Sequence, residues 1–257
     1  MKMNRFNSRV KALGGDILAA KPFSRKQAIF NEKAQQYAGQ GVITTPGYLR
    51  LETLLQSGTA GTSLNTISFN TLDTSGIKQP TERRLKLSDT FTITGLSFYL
   101  GTGASAVIGT PTAIEQAKET LLTFPNPQYA SISTMSDELE SLYNGFLSLR
   151  VDTTTFLDSV PLKQFYRVGT SQKGVGSSAV SNIPVQADEW TSAMYGSTQL
   201  LPTIELNGQA NIEWSITLPT SMPYLQVAGF TNAVIVLDGF LNQGAATVQR
   251  NVQRRLR

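Results

Sequence analysis

The chain has no cysteine and no histidine among its 257 residues. Without cysteine there are no disulfide bonds, thiol nucleophiles or thiolate metal sites, and without histidine there are no imidazole-based catalytic triads. These absences exclude the commonest enzyme chemistries and leave the carboxylates as acid or base candidates. Charged side chains are also scarce, at 16% of residues, a value that suits extensive contact surfaces on a globular protein.

Long apolar runs are absent as well. No run approaches the roughly 20 residues that a membrane-spanning helix needs, and the start of the chain, from Met1 to Phe6, lacks the continuous apolar core of a secretory signal. We therefore expect a soluble, unprocessed protein. With 40% hydrophobic residues, a chain of this length suffices for one all-β domain with a sizeable core.

The net charge of +4 hides a separation of charge along the chain. Residues 1–34 carry eight basic and two acidic side chains, and the last ten residues carry four arginines and no acid. The body between them is therefore acidic, with a net charge of −6. Basic ends on an acidic body indicate an anionic partner that contacts both ends.

Lysine and arginine neutralise phosphates and release counterions, so binding through them is sensitive to salt and independent of sequence. A solvated tail carries the same charges without a function, and the tail taken alone leaves both interpretations open. The two ends together favour binding of nucleic acid or lipid. The candidate contact residues are Arg5, Arg9, Lys11, Arg25, Lys26, Arg250, Arg254, Arg255 and Arg257.

An apolar stripe lies among the first of these basic residues. Its members, spaced by four, three and four positions, are Phe6, Val10, Leu13 and Ile17. This spacing predicts one face of a helix, which Gly14-Gly15 weakens, so we expect it to form against a partner surface. That surface is the protein's own body or a neighbouring subunit, with nucleic acid or a membrane surface as the alternatives.

Three further helices are predicted. A capping box at Ser24 opens the first, which continues to Tyr37 and ends before Gly39. A second begins at Thr112, and a third runs over Asp137–Tyr143. The first extends the basic arm, and the other two are short insertions in a β body.

The clearest pattern is the alternation over Ile204–Leu218. Even-numbered positions are apolar or small, whereas odd-numbered positions, including Glu205 and Glu213, are polar. This predicts strand structure in an antiparallel sheet with one buried and one solvated face. Asn207-Gly208 is either a two-residue hairpin turn or a bend in one long strand.

About eight strands are predicted in all. Arg83–Leu100 changes its apolar parity at Gly95, as at a β-bulge. Asn232–Leu237 is apolar on both faces, which indicates a strand covered on both sides. Thr153–Pro161 is predicted as a polar loop. The other predicted strands are Tyr48–Leu54, Thr66–Asn70, Phe146–Asp152, Leu162–Val168 and Ile183–Val185.

The carboxylates offer little catalytic chemistry. Glu205 and Glu213 share a strand face, but eight residues of extended chain place them about 27 Å apart, whereas a glycosidase pair needs roughly 5–10 Å. We interpret both as solvated strand residues. No nucleophile accompanies a base, and neither a calcium loop nor a phosphate loop is complete. We expect no enzymatic activity, no cofactor and no metal.

The layout resembles the jelly-roll coat proteins of small icosahedral viruses and tailless bacteriophages. The resemblance covers most of the chain. It lies in the basic N-terminal arm, 1–40, in the sandwich body, 41–247, and in the basic C-terminal tail, 248–257. Within the body it is carried by the strands at 83–100, 146–152, 204–218 and 232–240.

This resemblance implies an all-β antiparallel β-sandwich of jelly-roll type, a single roll in preference to two, with short helical inserts and a basic helical N-terminal arm. It implies a virion structural protein, made in the host cytoplasm, that assembles with copies of itself and other virion proteins into an icosahedral capsid. Its basic ends would meet nucleic acid or an internal membrane. The alternative is a carbohydrate-binding attachment or fibre module, and a glycan-cleaving enzyme would require a close pair of carboxylates.

Overall fold

A computed structural model of the chain describes residues 22–55, 63–73, 81–103, 120–122, 139–166, 197–223 and 230–249. Helix α1 spans Pro22–Gln36. The strands are β1 (Ile43–Leu54), β2 (Ser63–Asn70), β3 (Thr90–Gly103), β4 (Thr120–Leu122), β5 (Phe146–Val151), β6 (Thr154–Pro161), β7 (Thr198–Asn207), β8 (Ile212–Pro223) and β9 (Phe230–Gln243). Short helical turns occupy 139–143, Leu162–Phe165 and 245–249.

The strands form two antiparallel sheets. In the first sheet the order is β1-β9-β3-β4, and β7 also pairs with β3. The partner of β7 is the first part of β3, Thr90–Leu96, whereas β4 pairs with Leu100–Thr102. In the second sheet the order is β2-β8-β5-β6. The prediction of an all-β protein with antiparallel sheets is confirmed.

The two sheets share one hydrophobic core, an arrangement consistent with an all-β sandwich. Leu49 and Leu51 of β1 and Leu147 and Leu149 of β5 are buried in it, at alternate positions along their strands. Trp214 of β8 is the largest fully buried side chain among the described residues. Burial of each such aliphatic side chain stabilises the fold by about 1.5–3 kcal/mol.

The register of β3 shifts between Ile93 and Gly95 relative to both neighbouring strands. Before the shift Phe91 and Ile93 enter the core, and after it Leu96 and Phe98 do. One extra residue at the shift therefore keeps apolar side chains on the inner face along the whole strand. The predicted bulge is confirmed.

Strand β9 lies inside the first sheet, and both of its faces are covered, as its apolar sequence predicts. Ala233, Ile235 and Leu237 belong to the core shared with the second sheet. Val234 and Phe240 are buried too, but on the opposite, outer face of the first sheet.

The alternation over Ile204–Leu218 is confirmed, but the segment is divided between the two sheets. β7 belongs to the first sheet and β8 to the second, so the hairpin and the single long strand are both wrong. In the connection where the chain crosses from β7 to β8, the N–H of Gly208 donates to the Asp89 carbonyl at 3.0 Å. A Cβ at Gly208 would lie 2.2 Å from the Lys86 carbonyl oxygen. The parity continues across the crossing because the inner faces of both sheets border the same core.

A short segment before β3 joins the two sheets along one side. Arg83 exchanges two backbone hydrogen bonds with Arg50 of β1, at 2.9 and 3.0 Å. The N–H of Leu85 donates to the Thr71 carbonyl, and its carbonyl accepts from the N–H of Asp73, just beyond β2. The strand predicted from Arg83 thus begins with isolated bridges.

Two predictions after β5 are wrong. Thr153–Pro161 was predicted as a loop, but it contains β6, which pairs with β5 across a tight turn at Asp152 with a φ of 51°. β6 is an edge strand with mostly exposed side chains, so it lacks the buried alternation that marks a strand. Leu162–Val168 was predicted as a strand. Its first four residues form a 3₁₀ turn that buries Leu162 and Phe165.

Helix α1 begins at Pro22, two residues before the predicted cap at Ser24. Proline suits the first turn of a helix, where its missing N–H has no helical partner to lose. The chain then turns at Gly39 and Gly41, whose φ angles of 77° and 71° are left-handed and favour glycine. The predicted end of the helix is confirmed.

The helix predicted over Asp137–Tyr143 is confirmed for the described residues 139–143, where Leu139, Leu142 and Tyr143 are fully buried. The helix predicted from Thr112 and the strand predicted at 183–185 lie outside the described residues.

Candidate functional site

Helix α1 lies on the outer face of the first sheet, beside β7. Near its start, the Arg25 guanidinium donates to the side-chain oxygen of Gln199 at 3.2 Å and to the Leu200 carbonyl at 2.6 Å. Near its end, the Lys33 ammonium donates to the Glu205 carboxylate at 2.6 Å. The helix therefore runs in the same direction as the strand, and both of its ends are tied to β7.

Apolar contacts hold the same helix against the sheet. Ile29 is buried. The Phe30 ring lies 5.6 Å from the ring of Phe240 on β9, tilted by 51°, and such aromatic pairs contribute about 0.5–1.5 kcal/mol beyond the area that they bury. The described part of the predicted arm is therefore packed on the folded body.

Glu205 joins three parts of the chain. One carboxylate oxygen accepts from Lys33, and the other accepts from the Tyr37 hydroxyl and the Gln249 side-chain amide, both at 3.0 Å. The Gln249 amide also donates to the Tyr37 hydroxyl at 2.9 Å, and its oxygen accepts from Asn207 at 3.0 Å. We call Lys33, Tyr37, Glu205 and Gln249 the terminus anchor. It connects α1, β7 and the helical turn that follows β9.

The electrostatics of the terminus anchor favour an ionised Glu205. Burial raises the pKa of this carboxyl, but the hydrogen bond and charge of Lys33 lower it. With the further hydrogen bonds from Gln249 and Tyr37, the net pKa lies below the ordinary 4.5. Burial and the Glu205 charge raise the pKa of Tyr37, so its hydroxyl keeps the proton that it donates.

The structure describes two of the predicted anion contacts, Arg25 and Lys26, and places them in different environments. Arg25 is 6% exposed and bound to β7, and burial lowers the pKa of its guanidinium, which nonetheless stays charged. Lys26 is exposed. A role in anion binding stays a prediction for both, and Lys26 is the one whose charge faces solvent.

The other predicted contact residues lie outside the described residues: Arg5, Arg9, Lys11, Arg250, Arg254, Arg255 and Arg257. The same holds for the apolar stripe of Phe6, Val10, Leu13 and Ile17.

The terminus anchor was not predicted from the sequence. The interpretation of Glu205 as a solvated strand residue is wrong, because its side chain is only 27% exposed and ion-paired. The same interpretation is confirmed for Glu213, which is 54% exposed and 3.8 Å from Arg150. The available signal was the pair Lys33 and Tyr37, which share a helix face at a spacing of four.

A second polar cluster fixes the segment that joins the two sheets. The side chains of Glu52 and Glu82 are fully buried. Arg50 lies 2.5 Å from the Glu52 carboxylate, and Arg84 lies 2.7 Å from that of Glu82. Glu82 also accepts the backbone N–H of Glu52 at 3.2 Å. Each buried carboxylate has a guanidinium partner, so the four charges balance.

Among the described residues, no group of three or more aspartate or glutamate side chains is placed to hold a metal ion. In the same part of the chain, no helix is both long and apolar enough to cross a membrane. Comparisons with protein-family models, with curated proteins and with solved structures found no match.

Proposed function

We propose that this protein is a virion structural protein, a non-catalytic capsid subunit with a jelly-roll fold that assembles with copies of itself. The observation that carries the proposal is the order of its strands. β4 contributes only three residues at the margin of the first sheet. Without β4 eight strands remain, and we number them 1 to 8 in chain order, so that β5 to β9 become strands 4 to 8. In these numbers the strand order is 1-8-3-6 in the first sheet and 2-7-4-5 in the second.

This order is that of one long hairpin rolled into a sandwich. Strand 1 pairs with 8, strand 2 with 7, strand 3 with 6 and strand 4 with 5. Two Greek keys joined in this way make a jelly roll, an architecture of viral capsid and lectin domains. One roll uses every described strand except β4, which favours a single roll over two stacked rolls.

The positions of the two chain ends support contact with an anionic interior. The first described residue, Pro22, begins α1, and the last, Gln249, contacts Tyr37 just beyond the other end of the helix. A helix of 15 residues is about 22 Å long, and this length gives the approximate separation of the two ends. Residues 1–21 and 250–257 each carry a net charge of +4. Nucleic acid or a lipid surface that binds one end is therefore within reach of the other.

The outer face of the second sheet supports contact between copies. It presents three cross-strand rows, whose members are exposed or half-buried and mostly small and uncharged: Thr66, Thr217 and Phe146; Ser68, Ser215 and Ser148; Asn70, Glu213 and Arg150. Phe146 is 39% exposed, and Phe156 on the neighbouring β6 is 47% exposed. A face with few charges and exposed aromatic rings suits burial against another subunit.

The test of the basic ends compares two variants with the same loss of charge. The first replaces the four tail arginines, Arg250, Arg254, Arg255 and Arg257, with glutamine. The control replaces four basic residues of the body with glutamine: Arg83, Lys86 and Lys163, which are exposed, and Lys173. Binding to labelled single-stranded DNA, RNA and anionic vesicles is measured by fluorescence anisotropy and sedimentation at several salt concentrations, and assembly is followed by negative-stain electron microscopy.

We expect the tail variant to bind more weakly and to assemble poorly. Loss of four phosphate contacts reduces the slope of log affinity against log salt by roughly 3–4, while the control keeps the original slope. Equal behaviour of the two variants would contradict a specific role of the tail. A monomer indifferent to all three anions that binds glycans would instead indicate a carbohydrate-binding module.

A further inference from the structure

A groove of about 310 Å³ opens beside α1 on the outer face of the first sheet. Helix and sheet contribute one wall each. Its lining includes Lys26 and Phe30 of α1, Pro46 of β1, and Asp238 and Phe240 of β9. Phe240 and Phe30 give the groove an apolar floor next to the Asp238 carboxylate, which makes no salt bridge to any cation in the described part of the chain.

We propose that the N-terminal segment of the same chain folds back into this groove and fills it with Leu13 and Ile17. The segment joins α1 at Pro22, and the groove begins one turn further along the helix, at Lys26. The four residues 18–21 span up to about 14 Å, which is a usual length for the connection of two antiparallel helices.

The spacing of the apolar stripe matches the groove. The α1 wall extends from Lys26 to Phe30, one turn of helix. Leu13 and Ile17 are also four residues apart, so on a helix their side chains lie one above the other on one face. A helix that runs antiparallel to α1 places Ile17 beside Lys26 and Leu13 beside Phe30.

Tethering favours this occupant. The groove is lined by one cation, Lys26, and one carboxylate, Asp238, so its charges nearly balance and apolar contact with Phe30 and Phe240 is the attraction. A segment tethered by a short linker is present at an effective concentration of roughly millimolar, so its own groove is filled before that of a neighbouring copy. This intrachain contact does not depend on capsid assembly.

The absence of native cysteine permits a direct test. Pro46 lines the groove and is exposed, and its parity is opposite to that of Leu49 and Leu51, whose side chains enter the core, so its side chain lies on the outer face. The variant L13C–P46C is therefore compared with K11C–P46C, because Lys11 lies on another face of the predicted helix. Both are oxidised mildly as dilute monomers and separated by non-reducing electrophoresis.

We expect an intrachain disulfide in L13C–P46C to form on the order of tenfold faster than in the control, because the bond requires Cα atoms within about 7 Å. Equal rates would overturn the inference, and so would disulfide-linked dimers from the Leu13 variant. A monomer that forms the cross-link but never assembles would contradict the capsid proposal and support this one.

A second measurement needs no cysteine. L13Q removes an apolar side chain from the groove, and we expect a loss of roughly 3–6 °C in Tm, whereas K11Q should change Tm by less than about 1 °C. The same Tm for L13Q and K11Q would mean that Leu13 has no binding surface on the folded chain.

Discussion

Replacement of Glu205 by glutamine removes the negative charge of the terminus anchor and keeps nearly the same shape. The amide oxygen still accepts from Tyr37, but Lys33 loses its anion while only 13% of its side chain is exposed. A hydrogen bond between charged groups contributes about 1.5–3 kcal/mol. Solvent screening at the 27% exposed carboxylate reduces that contribution. We expect E205Q to lower the free energy of unfolding by about 1–2 kcal/mol.

Urea unfolding at neutral pH measures this loss, and thermal unfolding should show a Tm lower by roughly 3–6 °C. The matched control is E213Q. Glu213 is 54% exposed and 3.8 Å from Arg150, so its replacement should cost less than about 0.5 kcal/mol. A loss from E205Q no larger than that from E213Q would refute the anchoring role of Glu205.

The stability difference between the wild type and E205Q should depend on pH in a defined way. Because the pKa of Glu205 is lowered in the folded protein, its stabilisation is fully present above the ordinary value of 4.5. It is lost as the pH falls through the lower, folded value. The stability difference between the wild type and E205Q should therefore be constant near neutral pH and shrink in acid. A difference that persists unchanged at about pH 3 would contradict the ion pair.

Two further predictions concern the sheets. G239A should lower the free energy of unfolding, measured in urea, by more than about 2 kcal/mol, because the new Cβ would lie 1.8 Å from the Thr92 carbonyl oxygen. The control is G47A on the paired strand, whose free energy of unfolding should stay within about 0.5 kcal/mol of the wild type. F156D alters a side chain that is 47% exposed, so its Tm should stay within about 2 °C of the wild type while light scattering shows loss of assembly. Unimpaired assembly of F156D would exclude this part of the second sheet as a contact surface.

The sequence predicted those strands whose burial repeats locally. β5, β7, β8 and β9 follow period-two or doubly apolar patterns, and the parity change at Gly95 marks a register shift. These features depend on neighbouring residues in one strand. A pattern of this kind records which face is buried, so it could be recognised without knowledge of the partner strand.

The remaining features depend on distant residues. β6 has no apolar alternation because it lies exposed at a sheet edge. The division of β7 and β8 between two sheets follows from pairing with strands far upstream, such as Asn207 with Thr90. Glu205 and Tyr37 are 168 residues apart in sequence. Their contact requires the completed sheet, which explains why the terminus anchor was missed.

Electron microscopy of the full chain, purified and mixed with single-stranded nucleic acid at low salt, tests the capsid proposal most directly. We expect closed shells of uniform diameter and icosahedral symmetry, with the face that carries α1 turned toward the interior. Monomers or irregular aggregates at every salt and protein concentration would contradict a capsid subunit.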